Sequence, residues 1–251
     1  MRVIALTIIV ASVLVACGGG GEPNVAKRQA TPLDLSTTGT IRGEVTFSGP
    51  PPAMRELPVK NYPGCTPEGT DPVLSGDAMI KDGRVQNVFV YVKSGLGDRV
   101  FAIPKAPVEI DQKGCIYVPR VIGAQVGQPV LYKNSDAVMH NVHGTPASAK
   151  AWNVSLGGKG MSKSIQLDQA DVMIPVRCDV HPWMQSYVGV VDHPYFAVTS
   201  ADGRFELKQV PPGDYIVGLW HEKFGVREAK TTVTQQVATT VNFSLSATPS
   251  N

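Results

Sequence analysis

The chain of 251 residues predicts an all-β protein, on three observations. Apolar and polar residues alternate over short runs, which is the period of a strand with one buried face. No segment carries a long helical period. The 25 glycines and 20 prolines punctuate the runs, as short strands joined by tight turns require. Hydrophobic residues make up 43%, which supports a packed core over most of the length and argues against disorder.

The elements follow in order. Residues 40–47 alternate until Ser48, Gly49 and Pro50 stop the run. Residues 85–92 alternate again, with Val88, Val90 and Val92 on one face and Phe89 and Tyr91 on the other. A third run, residues 127–133, ends at Asn134-Ser135-Asp136, and runs at 172–176 and 186–191 bracket a cluster of chemistry-bearing residues. Ala201-Asp202-Gly203 signals a hairpin, with Phe205 and Leu207 sharing a face after it. Pro211-Pro212-Gly213-Asp214 turns the chain before residues 215–220. β-Branched residues over 231–245 end the fold, and short helical turns at most are expected elsewhere.

At the N-terminus, Met1 and Arg2 precede an apolar run over residues 3–15, too short to span a bilayer and the size of a signal-peptide core. It ends in Leu14-Val15-Ala16-Cys17, which resembles a bacterial lipobox. The resemblance implies a signal peptide over residues 1–16, a lipid on Cys17, and membrane attachment through that lipid. A plain secretory signal cut after Ala16 is the competing reading. Four glycines and a polar stretch make residues 17–38 a lipidated flexible tether. Gly18 stands where an inner-membrane retention signal resembles Asp, so the expected location is the cell envelope, at the outer membrane and facing the periplasm or the surface. The net charge is +2 with no basic run, so a nucleic-acid partner is not expected.

Of the four cysteines, three remain once Cys17 is assigned to lipid, in an oxidising compartment. Three is odd, so one thiol has a different job. Cys178 lies in a metal-like cluster, which leaves Cys65 and Cys115 as a disulfide joining distant segments; the alternative is that one of them is free or buried reduced.

The cluster reads Cys178-Asp179-Val180-His181-Pro182-Trp183-Met184, with Asn134-Ser135-Asp136-Ala137-Val138-Met139-His140-Asn141 upstream. A thiolate and two imidazoles in a near-planar triangle, with a weak thioether above, suit copper in both oxidation states. Three ligands on one loop cost little entropy when strands already close that loop, and His140 comes from another strand end. Zinc would accept the two histidines and the cysteine but gain little from Met184. Singly, each residue has a plain reading as buried cysteine, core methionine or polar loop histidine; their joint occurrence carries the metal. His143 reads as a stray ligand or an exposed neighbour.

Residues 106–192 resemble a cupredoxin of the plastocyanin and amicyanin kind, on the C-x2-H-P-x-M loop and on Gly127-Gln128-Pro129-Val130 followed by Asn134-Ser135-Asp136. The resemblance implies one mononuclear type 1 copper held by His140, Cys178, His181 and, axially, Met184. It implies that the backbone N–H of Asn141 points at the cysteine sulfur while its side chain braces the ligand loop, and that Pro182 stiffens that loop. It implies that His181 presents a ring edge through an apolar surface patch, with Trp183 either part of that patch or packed inward. The flanks resemble a carboxypeptidase regulatory-like, transthyretin-like β-sandwich, on Gly39-Thr40-Ile41-Arg42-Gly43-Glu44-Val45, Val88-Phe89-Val90-Tyr91-Val92, residues 199–207 and Pro211-Pro212-Gly213-Asp214-Tyr215. The order of these matches implies a discontinuous sandwich, residues 39–105 and 193–247, interrupted by a Greek-key cupredoxin domain over 106–192; one continuous sandwich is the alternative.

The expected function is one-electron transfer with a redox partner protein, and not enzymatic catalysis. Copper storage or delivery, and a structural or adhesive surface module with a copper-binding domain, are the alternatives. His221-Glu222 lacks the second histidine of a metalloprotease helix, since Gly225 stands there. Arg120 carries no functional signal.

Overall fold

A computed structural model describes residues 29–65, 69 and 71–247. The signal peptide, the lipidation candidate Cys17 and the first part of the tether lie outside the described residues. Strands β1 (Gly39–Ser48), β2 (Ile80–Lys81), β3 (Arg84–Val85) and β4 (Phe89–Ser94) come first. Next come β5 (Val108–Lys113), β6 (Ile116–Val118), β7 (Val121–Gln125), β8 (Pro129–Asn134) and β9 (His140–Gly144), then β10 (Trp152–Leu156), β11 (Ser162–Gln166), β12 (Asp171–Arg177) and β13 (Gln185–Val191). The chain ends with β14 (Phe196–Val198), β15 (Arg204–Val210), β16 (Gly213–His221), β17 (Gly225–Val233), β18 (Ala238–Thr240) and β19 (Phe243–Ser246). Among the described residues the only helical element is a single 3-10 turn, Pro58–Asn61, with Pro58 at its start. The fold is all-β, as the alternating runs predict.

The strands form two sandwiches. In the first, a sheet ordered β15-β1-β3-β2, with β18 and β19 lying parallel to β1, covers a sheet ordered β14-β4-β16-β17. Ile41, Val45, Val90, Val217, Leu219 and Leu245 fill the space between them. In the second, β10-β9-β12-β13-β7 covers β11-β8-β5-β6, around Ile110, Val130, Tyr132, Val142, Ile174 and Val188. The parallel pairs β7/β13 and β5/β8 sit one in each of these two sheets. The chain between β1 and β2 does not stay with the first core: Leu57, Val59 and Cys65 are buried in the second.

A third apolar cluster joins the sandwiches. Phe89, fully buried, points away from the first core onto the paired glycines Gly123 of β7 and Gly189 of β13. A Cβ at Gly189 would lie 2.6 Å from the Phe89 ring, and one at Gly123 would lie 2.4 Å from Phe196. Only bare backbone leaves room for the two rings, which explains glycine at both positions. Beside this seat, the guanidinium of Arg120 bonds both carboxylate oxygens of Glu222, with Nη2–Oε2 at 2.7 Å, and both side chains are largely buried. The residue without a sequence signal is thus a bidentate ionic tie between the sandwiches.

Three expected elements differ in detail. The run 85–92 breaks at Asn87, whose φ of 63° turns the chain between β3 and β4. The run 231–245 breaks at Gln236, with φ 56°, so that its later part returns as β18 and β19 beside β1. The end of the expected tether is seated on the first sandwich. Thr31 and Val100 exchange two hydrogen bonds, at 2.8 and 3.0 Å, and Thr38 accepts one from the Gln236 N–H at 3.0 Å. Asp34 organises the intervening turn by accepting from the Ser36 N–H and hydroxyl.

Candidate metal centre

His140 opens β9 with its ring fully buried. The turn before it is built by Asn134, whose amide donates to the carbonyls of Val138 and Leu156 at 2.9 Å each and whose oxygen accepts the Asp136 N–H at 2.9 Å. Cys178, His181 and Met184 lie on the connection from β12 to β13. That loop closes on itself, since the Met184 N–H donates to the His181 carbonyl at 2.9 Å and the Cys178 N–H to the Met184 carbonyl at 3.3 Å. Asn141 braces it from β9. Its side-chain oxygen accepts the Asp179 N–H at 2.7 Å, and its amide donates to Asp179 Oδ2 at 2.8 Å and to Asn153 Oδ1 at 2.7 Å. Tyr117 supports the same strand ends by donating its hydroxyl to the Asn141 carbonyl at 2.6 Å, and burial raises its pKa.

These elements bring three donor atoms to one point. His140 Nδ1 and His181 Nδ1 are 3.0 Å apart, and Cys178 Sγ lies 4.0 and 3.8 Å from them. All three residues are buried, and Met184, 1% exposed, belongs to the surrounding core. His140 Nε2 faces Asp136 Oδ2 at 2.9 Å, so the neutral ring donates its N–H to the carboxylate there and keeps a lone pair on Nδ1. Asp136 is itself tied down, with Oδ1 accepting the Gly114 N–H at 2.7 Å and Oδ2 the Cys115 N–H at 2.8 Å. Burial first, and then the neighbouring His140 ring, hold His181 below the ordinary histidine pKa.

The donor set fits a metal ion. His140 Nδ1, His181 Nδ1 and Cys178 Sγ, at separations of 3.0, 3.8 and 4.0 Å, would together hold one ion. Two imidazoles and a cysteine sulfur are a donor set that suits copper in both oxidation states.

The structure assigns the neighbouring residues differently from one another. Cys65 and Cys115 form a disulfide, and Cys178 is the free thiol among the described residues. Pro182 is exposed. His181 does not present an edge at an open apolar patch: it is 5% exposed, with Cys65 Sγ 3.6 Å from its Nε2 and the Tyr62 ring 6.0 Å from its own. Trp183, 8% exposed, packs inward, donates Nε1–H to the Cys115 carbonyl at 2.9 Å and stacks its ring edge on Tyr62. His143 stands apart, bonded to the exposed Asp179 at 3.0 Å; this bond is the largest cause of that carboxyl's lowered pKa. His221 is buried with Nδ1 accepting backbone N–H groups from Lys223 and Phe224, a structural role. Asp136 and Tyr62 were not singled out from sequence. Asp136 stands four residues before His140, a spacing that could have marked it; nothing marks Tyr62.

No family model matches the chain, and no curated protein matches it. Among solved structures, similar chains include a copper-containing nitrite reductase (NirK) from Thermus scotoductus SA-01, at 20% identity and TM-score 0.33. The match covers 39% of this chain and 25% of the reductase, so the chain spans about a quarter of that protein's length. An amicyanin variant in its Cu(I) form matches at 22% identity and TM-score 0.29, over 40% of this chain and 97% of that one. A purple cupredoxin from Nitrosopumilus maritimus matches at 22% identity and TM-score 0.29, over 33% and 98%.

Proposed function

We propose that the chain is a blue-copper protein of the cell envelope that carries single electrons, with a cupredoxin domain over residues 106–192 inserted in a discontinuous transthyretin-like sandwich and a lipid anchor at Cys17. One observation carries the copper reading: the Nδ1 atoms of His140 and His181 meet at 3.0 Å beside the Cys178 sulfur, inside a core. Two ring nitrogens this close need a proton or a cation between them, and the buried Cys178 sulfur adds a third donor atom at the same point. Copper bound there would supply a one-electron couple. His140 and His181 would hold it through their imidazoles and Cys178 through its sulfur, and Met184, buried in the same core, would offer a weak thioether. Asp136 fixes the His140 tautomer, and Asn141 holds the ligand loop to β9 through Asp179. Ligands fixed by hydrogen bonds and packing move little when the charge at the site changes, which suits electron transfer.

The test is the visible spectrum of the copper-loaded protein. Wild type should show an intense thiolate-to-copper band, and Cys178→Ser should lose it. Met184→Leu should keep the colour and shift the reduction potential, since the axial bond is weak. A band that survives in Cys178→Ser refutes the site.

A further inference from the structure

The segment that covers His181 is held in an unusual way. Val59, fully buried, anchors one end and the Cys65–Cys115 bond anchors the other, while Lys60, Asn61, Tyr62, Pro63 and Gly64 between them are exposed. Gly64, with φ 86°, sits so close to Val138 that a Cβ there would lie 2.2 Å from its Cγ1. The Tyr62 ring stands 6.0 Å from the His181 ring and 4.5 Å from Trp183. Cys65 Sγ lies 3.6 Å from His181 Nε2. Cys115 reaches the other histidine, because its N–H donates to the same Asp136 oxygen that faces His140 Nε2, and its carbonyl accepts from Trp183. One disulfide therefore touches both histidines of the donor cluster, one directly and one through Asp136.

We propose that Cys65–Cys115 is a thiol–disulfide exchange site that controls access to the metal centre, its co-reactant being an external dithiol; the metal part of this rests on the copper reading above. Exchange begins at Cys65, which keeps 5% exposure where Cys115 has none. A thiolate of the reductant attacks Cys65 Sγ, the bond to Cys115 breaks, and the Cys115 thiolate takes up a proton. The second thiol of the reductant, deprotonated, displaces Cys65, which leaves and is protonated, and the reductant closes its own disulfide. One S–S bond is lost in the protein and one forms in the reductant, with two electrons and two protons passed to the protein. With that bond cut, residues 60–64 keep Val59 at one end and the Tyr62–Trp183 and Gly64–Val138 contacts but lose their covalent tie at the other, and a stretch so exposed opens locally without unfolding the core. Opening uncovers the outer edge of His181 and frees the turn that Asp136 holds. By linkage, whatever factor reduction takes from metal affinity, bound metal returns as resistance of the disulfide to reduction.

The experiment uses metal-free wild type and acylation of histidines by diethylpyrocarbonate, read by peptide mass spectrometry. His193, buried in the first sandwich and bonded to the Val92 carbonyl at 2.8 Å, is the internal control. Along a dithiothreitol series under native conditions, alkylation of Cys65 and Cys115 and acylation of His181 should rise together, His181 by at least tenfold, with His193 unchanged. The Cys65→Ala/Cys115→Ala protein should show the same rise without reductant, and Tyr62→Ala, altering a side chain 42% exposed, a smaller rise with the disulfide intact. His181 acylation that stays flat while the two thiols appear would overturn the proposal. So would a disulfide that yields only when His193 is acylated too, and this outcome decides the matter even if the double variant does not fold. Failure of the copper reading would instead show as a missing visible band and leave these metal-free results standing.

Discussion

Asp136→Asn tests how the buried carboxylate prepares the site. The carboxylate serves three donors at once: the N–H groups of Gly114 at 2.7 Å and Cys115 at 2.8 Å, and His140 Nε2 at 2.9 Å. An amide offers one oxygen. Whichever way it turns, its NH2 faces a backbone N–H or the imidazole. Leaving one buried donor unpartnered costs about 1–3 kcal/mol, and the bonds that remain lose their charge assistance. If the NH2 faces His140, the ring must accept at Nε2 and carry its proton on Nδ1, the atom aimed at His181 and Cys178. Metal must then displace that proton, and loss of such a partner lowers affinity about 10–100-fold, or about 1.4–2.7 kcal/mol. Urea unfolding of the metal-free protein measures the first effect, and chelator competition the second. Wild-type values in both would refute the reasoning. Lost stability with unchanged metal affinity would refute the tautomer argument alone.

Two further outcomes concern the join between the sandwiches. Arg120→Ala leaves Glu222 buried without its bidentate partner and should cost about 3–5 kcal/mol in urea unfolding, whereas Arg120→Met with Glu222→Leu should recover most of it; a single variant as stable as wild type would show that the pair is idle. Burial first, and then the charge of Arg120, push His221 down to about 4, while an unfolded histidine titrates near 6.5. Between those values the unfolded chain binds more protons than the folded one, so the contribution of His221 is full above pH ~6.5 and falls by up to about 3 kcal/mol as pH drops through ~4. Metal-free His221→Gln should lose less stability than wild type between pH 7 and pH 4.5, and parallel losses would remove His221 as the cause.

Much of the fold was legible because strand signals are local. The alternation over residues 40–47 is β1, and the turn at Ala201-Asp202-Gly203 does precede β15. The donor cluster was legible for a related reason. Cys178, His181 and Met184 share one short loop, and His140 follows a turn whose Asn134 and Asp136 are visible as polar residues ending an apolar run. Strands such as β10 and β11 were not legible, since their exposed and mixed residues lack a clean alternation. Arg120 was silent because its partner, Glu222, is 102 positions away and no local pattern joins them.

The cover over His181 shows where local reading must fail. A loop resembling that of an exposed ligand histidine predicts an exposed edge, and nothing in residues 178–184 says otherwise. The closure comes from a segment more than a hundred positions earlier, and Cys65 lies 116 residues from His181. Within that segment only Val59 and Cys65 are buried across residues 58–65, and its exposed stretch from Lys60 to Gly64 carries the composition of an ordinary surface loop. Its position is set by three long-range facts: Val59 in a core not made by its neighbouring strands, the bond to Cys115, and the close approach of Gly64 to Val138. Cysteine arithmetic could pair Cys65 with Cys115, but the pairing alone does not say what lies between the two sulfurs and the metal cluster. The segment that covers His181 thus enters from outside residues 106–192 yet is held by the same sandwich that supplies the donor cluster, through its core, the Cys65–Cys115 bond and Val138.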